Sequence, residues 1–328
     1  MTDAGTALRA TAAAAFTPPV FSVVIPCRNE EANVEAMAAA VVREMEAVGE
    51  TFDLIFIDND SVDRTVVLLE AICARDPRVR LIVNARNFGQ MRSPTYAIFQ
   101  ARGSAIIALC CDFQDPPELL PRFVERWRAG AAIVLGVRAS ETSSLALGVI
   151  RRWSYWFARK FGDYPIVPNA TGFGLYDNKV VRVIERLNEP EPFFRGMLVE
   201  TGYRTETIAY PRAPRAGGTS NNGFFQLLDF AMSSLAGASK RMVRVPFFIG
   251  ATMLVVAALA LLGMPVAWVL GQGNWVIGFG AIALIEAHTG LLFLFLGILG
   301  DQVRLISERT RRTPLVVERE RVNFPADY

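Results

Sequence analysis

The chain has 328 residues, a net charge of +2, and 34 basic against 32 acidic side chains. So near-neutral a balance excludes whole-protein attraction to nucleic acid, and a single histidine leaves little from which to build a zinc site. The length holds one globular domain of about 220 residues and a further apolar part, but not two full soluble domains.

Residues 1–19 are rich in Ala and Thr and lack the basic start and sustained apolar core of a secretory signal, so they read as a flexible tail. Phe21–Pro26 is a short β-branched run that predicts a strand. The segment after it spaces Val34, Met37, Ala40, Val41 and Met45 as a helix does. The pattern recurs: Phe52–Ile57 then a helix over Thr65–Ala74, Arg80–Val83 then a helix around Pro94–Ala101, and Ala105–Cys110 then a helix over Pro117–Ala129. Such alternation calls for a doubly wound, mostly parallel α/β sheet. Ligands of these sheets bind beyond the carboxyl ends of the strands, which here carry Pro26–Glu30, Asp58–Asp63, Asn84–Gly89 and Asp112–Asp115.

No GxGxxG or GxxxxGK(S/T) opens any of these helices, so the common glycine-rich phosphate cradles are missing and a diphosphate would need a metal and arginines. Asp112-Phe113-Gln114-Asp115, directly after an apolar strand, offers hard oxygen ligands to Mg²⁺ or Mn²⁺. Asp115 before Pro116-Pro117-Glu118 also has the form of a helix cap. The two roles divide as Asp112 with Gln114 at the metal and Asp115 at the cap. Cys27, Cys73, Cys110 and Cys111 form no CxxC pair and fit reduced thiols.

Towards the C-terminus, Phe224, Phe225, Leu227, Leu228, Ala231, Met232 and Leu235 recur near helical spacing ahead of Lys240 and Arg241. Residues 223–244 therefore read either as an interfacial amphipathic helix or as a core helix. RRWSYWFARKFG at 151–162 mixes aromatic and basic residues as interfaces do. Val245–Leu270 and Trp275–Leu299 are longer than the ~20 residues that cross a bilayer, which predicts two transmembrane helices within 245–300, with Glu286 and His288 facing a partner helix, a water pocket or a neighbouring subunit. Basic flanks at Lys240, Arg241, Arg244, Arg304, Arg309, Arg311 and Arg312 put both ends of that hairpin, the catalytic domain (20–222) and the tail (301–328) on the cytoplasmic side. The expected location is thus the bacterial inner or plasma membrane. Two helices alone bury little surface, so a homo-oligomer is expected, with Thr313–Tyr328 as an exchange element.

In their order and spacing, VVIPCRNEEANV (23–34), FIDNDSVDRT (56–65), NARNFGQ (84–90), CDFQDPPELLP (111–121), GVR (136–138), NATGFGLYD (169–177), FFRG (193–196) and a tail ending GILGDQVRLISERTRR carry a family likeness over nearly the whole chain. They resemble the family 2 glycosyltransferases of GT-A type, in the branch of dolichyl-phosphate mannose synthase and bacterial polyprenyl-phosphate glycosyltransferases. By that resemblance Pro26, Arg28, Glu30 and Asn87 border the nucleotide, Asp58 lies near its base, and Asp112 with Gln114 holds Mg²⁺ or Mn²⁺ on the diphosphate. Arg138 and Arg215 meet phosphate and, with Asp112, form the catalytic set. Read without the resemblance, Arg138 fits a surface ion pair equally well, and Asp58 fits a turn residue.

The chain departs from the family at several places. Cys110 takes the place of the first aspartate of the DxD pair, Asn59 replaces a commonly acidic residue, and Asn221 stands where relatives carry lysine after Arg215-x-x-Gly218. Gly172 and Gly174 occupy sites that are Asp and Arg in many relatives. A polyprenyl phosphate is already anionic and attacks without a strong base, whereas an alcohol acceptor would require one, with Glu200 or Asp177 available. The resemblance implies inverting transfer of one sugar from a nucleotide sugar, UDP-linked, to polyprenyl phosphate, by an enzyme that contacts membrane lipids and assembles as a homotetramer. A processive synthase lacks support because no QxxRW is present. A binding or scaffold protein descended from such an enzyme is the alternative.

Overall fold

In Phe21–Cys27 (β1), Phe21, Val23, Ile25 and Cys27 enter one core cluster and Val24 enters another. This is the period-two alternation of a strand covered on both faces. The computed structural model describes residues 17–139, 167–190, 192–211, 314–325 and 328, with single helical positions between 281 and 310. After β1 come α1 (Val34–Val48), β2 (Phe52–Asp58), α2 (Thr65–Arg75), β3 (Val79–Asn84), α3 (Gly89–Gln100) and β4 (Ala105–Ala108). A 3-10 turn (Pro117–Leu119) leads into α4 (Leu120–Arg128), followed by β5 (Ile133–Arg138), β6 (Ala170–Asp177), α5 (Asn178–Arg186), α6 (Phe194–Glu200), β7 (Thr205–Tyr210) and β8 (Glu318–Val322).

These strands form one eight-stranded sheet ordered β7-β5-β6-β4-β1-β2-β3-β8. The β4-β1-β2-β3 block is parallel, as the strand-helix alternation requires, but β6 runs antiparallel to both β4 and β5, and β8 antiparallel to β3. The sheet is therefore mixed: β5 and β7 pair in parallel, and the antiparallel strands are β6, between β4 and β5, and β8 at the edge. All seven residues of β2 are buried, Asp53 and Asp58 among them. One cluster packs α1, α2 and α4 against the sheet through Val34, Met37, Val41, Leu69 and Phe123; the other packs α3 and α5 through Ala97, Ile98, Val180 and Ile184. Each such buried Val, Leu, Ile, Met or Phe side chain contributes about 1.5–3 kcal/mol by burial.

Gly174, in the middle of β6, has a packing reason: a Cβ there would lie 2.3 Å from the Val134 carbonyl oxygen of β5. Any side chain at this position is closed out by the approach of two strands.

The C-terminal segment, expected as an exchange element, pairs with its own chain. β8 lies on β3 with Leu81 opposite Val322 and Asn84 opposite Glu318, covering an edge that would otherwise expose unpaired backbone groups. The Ala85 amide donates to the Val317 carbonyl at 2.9 Å, the Asn323 side chain donates to the Cys73 and Val79 carbonyls, and the Tyr328 hydroxyl donates to Asp53 at 3.0 Å.

The membrane location expected from the sequence is corrected. Among the described residues no helix is long and apolar enough to cross a membrane. The two helices expected within 245–300 lie outside the described residues apart from single positions, as do 223–244 and 151–162.

Candidate functional site

The order of the sheet reverses at β1, whose neighbours β2 and β4 are reached in opposite directions. A crevice opens beyond the carboxyl ends of strands at such a point, and four loops meet there. The β1–α1 and β2–α2 loops interlock: the Asn29 amide donates to Ser61 Oγ at 2.8 Å, the Val62 amide to Asn29 Oδ1 at 2.9 Å, and the Glu30 amide to Thr65 Oγ1 at 2.8 Å. The Glu31 amide donates to Asp63, and the Arg64 amide donates back to Glu31. Asn29 (φ 55°) and Asp60 (φ 66°) supply the left-handed bends, a conformation that Asn and Asp tolerate better than most side chains.

Within this frame Arg28 is exposed and Pro26 half-buried. Glu30 is buried and its carboxylate accepts from the Asn33 side-chain Nδ2 at 2.6 Å. Asp58 is fully buried, and its two oxygens accept from the Ser61 backbone (3.0 Å) and the Ser61 hydroxyl, which realises the turn role. Burial raises the Asp58 carboxyl above its ordinary value, against the lowering effect of the Ser61 bonds and of Arg319 on β8.

Asn59 is the hub of the next loop. Its Oδ1 accepts from the Asn84 side chain (3.1 Å) and the Phe88 amide (2.9 Å), and its Nδ2 donates to Asn87 Oδ1 (2.8 Å) and the Gly89 carbonyl (3.3 Å). An aspartate at 59 would have no donor for Asn87 and Gly89, which gives the departure from the acidic residue a structural cause. Asn87 in turn accepts from the Gly89 amide.

Beyond β4, which ends at Ala108, Phe113 (φ 57°) bends the chain and the Gln114 amide donates to Asp112 Oδ1 at 3.1 Å. Asp112 and Gln114 are both partly exposed on this turn. No group of three or more His, Cys, Asp or Glu gathers among the described residues. A carboxylate and an amide nevertheless suit a hard cation that takes its other oxygens from substrate phosphate and water. Solvent reaches Cys110, but the protein packed around it raises its thiol well above the ordinary value, and Asp115 and Asp112 add to this. A cysteine sulfur is a poor ligand for Mg²⁺.

The cap expected at Asp115 is not formed. The residue before the 3-10 turn is Pro116, with no side-chain cap there or on α4. Instead the fully buried Asp115 carboxylate turns to Arg138 and Tyr210: Arg138 Nη2 donates to Oδ1 at 3.0 Å, and the Tyr210 hydroxyl donates to the same oxygen. Arg138, the last residue of β5, is thus brought to the loop of Asp112 and Gln114, in an ion pair with a fully buried acid rather than one on the surface. Asp177 is engaged as the cap of α5, accepting from the Lys179 amide at 3.0 Å, and as acceptor for the Trp127 indole at 3.0 Å. Glu200 is exposed at the end of α6. Arg215 and Asn221 lie outside the described residues.

Tyr210 and the cation at Arg319 were missed in the sequence, where no local signal marks them, and Asn59 stood out there as a departure but not as a hub. Tyr210 ends a strand 95 positions from its partner Asp115.

Residues 22–182 match glycosyl transferase family 2. A prophage bactoprenol glucosyl transferase homologue of Escherichia coli K12 is 30% identical over 309 residues, covering 91% of this chain and 98% of that protein. An uncharacterized glycosyltransferase of Bacillus subtilis, YkcC, is 26% identical over 303 residues, covering 90% and 92%. Among solved structures, glucosyl-3-phosphoglycerate synthase of Mycobacterium tuberculosis, in complex with Mn²⁺, UDP and phosphoglyceric acid, aligns with a TM-score of 0.49 at 16% identity, over 66% of this chain and 76% of that one. With a relative at 30% identity along nearly its whole length and the family pattern laid over the strands that build the crevice, the chain belongs to glycosyl transferase family 2.

Proposed function

We propose that the protein transfers one hexose from a UDP-sugar to polyprenyl phosphate with inversion, aided by Mg²⁺ or Mn²⁺. The observation that carries this reading is the end-to-end similarity to a bactoprenol glucosyl transferase homologue, 98% of which is covered. The crevice supports it. Asp58 and Asn87 stand at the ends of β2 and β3 for the base, and Arg28 stands at the open rim of the β1 loop. Asp112 and Gln114 share one turn beyond β4, and Arg138 is held to Asp115 of the same loop, which supports a diphosphate site there.

Asp112 and Gln114 would hold the divalent cation, which when bound neutralises the charge that develops on the departing diphosphate. Arg138 adds a fixed positive charge to the same group. A phosphate oxygen of the acceptor forms the new bond to C1 of the sugar as the bond from C1 to the diphosphate oxygen breaks, and UDP leaves with the electron pair. The acceptor enters as an anion, so no proton needs removing, in keeping with Asp177 being committed to structure.

The test is to incubate purified protein with UDP-glucose and other UDP-hexoses, undecaprenyl phosphate and Mg²⁺ or Mn²⁺, and to seek the glycolipid by mass spectrometry. Formation of the singly glycosylated lipid phosphate, lost on chelation and in Asp112→Asn, is the expected result. Turnover that survives chelation would overturn the metal dependence, and turnover lost on chelation but kept in Asp112→Asn would place the cation elsewhere. Cys110 in the first-aspartate position favours a second reading, a binding or scaffold protein. Nucleotide binding with no turnover on any donor would establish that reading and overturn the first.

A further inference from the structure

We propose that Asp115 and Tyr210 are positioning residues that aim Arg138 at the diphosphate of the donor, beside the Asp112–Gln114 turn. The proposal rests on the UDP-sugar reading above.

The three side chains close a triangle. Arg138 Nη2 donates to Asp115 Oδ1 at 3.0 Å, Arg138 Nε donates to the Tyr210 hydroxyl at 3.3 Å, and that hydroxyl donates to Asp115 Oδ1. One edge of the planar guanidinium is therefore held at two points, which fixes both its place and the direction of its plane. Nη1, on the opposite edge, makes no hydrogen bond among the described residues.

The backbone makes this arrangement rigid. Arg138 and Tyr210 are direct partners in the parallel β5·β7 ladder, and Asp115 lies three residues beyond Asp112 on the turn bent at Phe113. The same short loop thus presents a metal-binding end and an arginine-holding end. Neither can shift without the other.

Stability alone does not account for the acid. Asp115 is wholly buried, and its Oδ2 has no hydrogen-bond partner among the described residues. Replacing a buried ion pair by apolar side chains of similar volume is often neutral or stabilising, so a carboxylate with an orphaned oxygen at the crevice is explained by the geometry it imposes on Arg138. Burial, together with the charge of Asp115, pushes the Tyr210 hydroxyl up to about 12, so it remains a donor throughout the physiological range.

The test compares the affinities of the full-length protein for UDP and for uridine by titration calorimetry with saturating Mn²⁺. The variants are Arg138→Ala, Asp115→Asn, Tyr210→Phe and Asp115→Asn with Arg138→Ala. Arg138→Ala is expected to weaken UDP on the order of tenfold, as the loss of a charge-assisted contact does, with uridine unchanged. Asp115→Asn and Tyr210→Phe weaken UDP severalfold and also spare uridine, whereas the double variant binds UDP no more weakly than Arg138→Ala alone. Should Asp115→Asn fail to fold, Tyr210→Phe with and without Arg138→Ala gives the same cycle. Independent, multiplying losses would overturn the positioning role, as would equal losses for UDP and uridine. Wild-type protein that binds uridine and UDP equally, or neither, would overturn the donor reading itself.

Discussion

At the amino end of the sheet, away from the crevice, Arg80 of β3 and Asp53 of β2 form an ion pair of 2.7 Å with side chains 8% and 2% exposed. The C-terminal residues close over it, with the Tyr328 ring 4.0 Å and the Phe324 ring 5.7 Å from the Arg80 guanidinium, and the Tyr328 hydroxyl on Asp53. Burial raises the Asp53 carboxyl above its ordinary value even though Arg80 lowers it, so desolvation is the larger influence. Arg80→Met keeps much of the aliphatic stem and strands the acid. The expected loss is about 3–5 kcal/mol, a large share of the ~5–15 kcal/mol by which a domain is stable. A carboxyl whose folded-state value is raised contributes stability below its unfolded value and loses it as pH rises through the folded value. Without Arg80 the Asp53 value climbs further. The deficit relative to wild type is therefore greatest near neutrality and shrinks as pH falls towards the ordinary aspartate value of about 4. Urea unfolding followed by circular dichroism at several pH values measures this, and Asp53→Asn in the Arg80→Met background should recover part of the loss. A deficit that is the same at pH 7 and pH 4.5 would refute the electrostatic account and assign the loss to packing on Tyr328, and one below about 1 kcal/mol would refute both.

Gly174→Ala puts a Cβ against the Val134 carbonyl and should destabilise by about 1–3 kcal/mol in urea unfolding; a neutral outcome would show that β5 and β6 can separate freely. Asn59→Ala removes the hub beneath Asn87, and a loss of about 1–3 kcal/mol is expected along with faster hydrogen exchange of the Phe88 and Gly89 amides. Because Asp58 titrates above its ordinary value, uridine affinity should fall as pH drops from neutrality and its carboxylate takes up a proton, while Asp58→Asn binds more weakly and without that dependence. A wild-type affinity constant from pH 8 down to 4 would remove Asp58 from the base-binding role.

Local pattern settled a great deal. The β-branched run of β1, the 3.6-residue spacing of α1 and their repetition through β4 and α4 are recorded in consecutive residues, because which face of an element is buried is written in its own period. The place of the loop that carries Asp112 and Gln114, directly after the apolar strand β4, is likewise written in consecutive residues. Pairing is a different matter. That β6 runs antiparallel between β4 and β5, that β8 returns to cover β3, and that Asp115 turns away from a helix cap to hold Arg138 with Tyr210 all depend on residues tens to hundreds of positions apart. Only the folded sheet brings those groups within reach, so hydrogen-bond partners and the burial of a charge, unlike periodicity, are decided by tertiary structure.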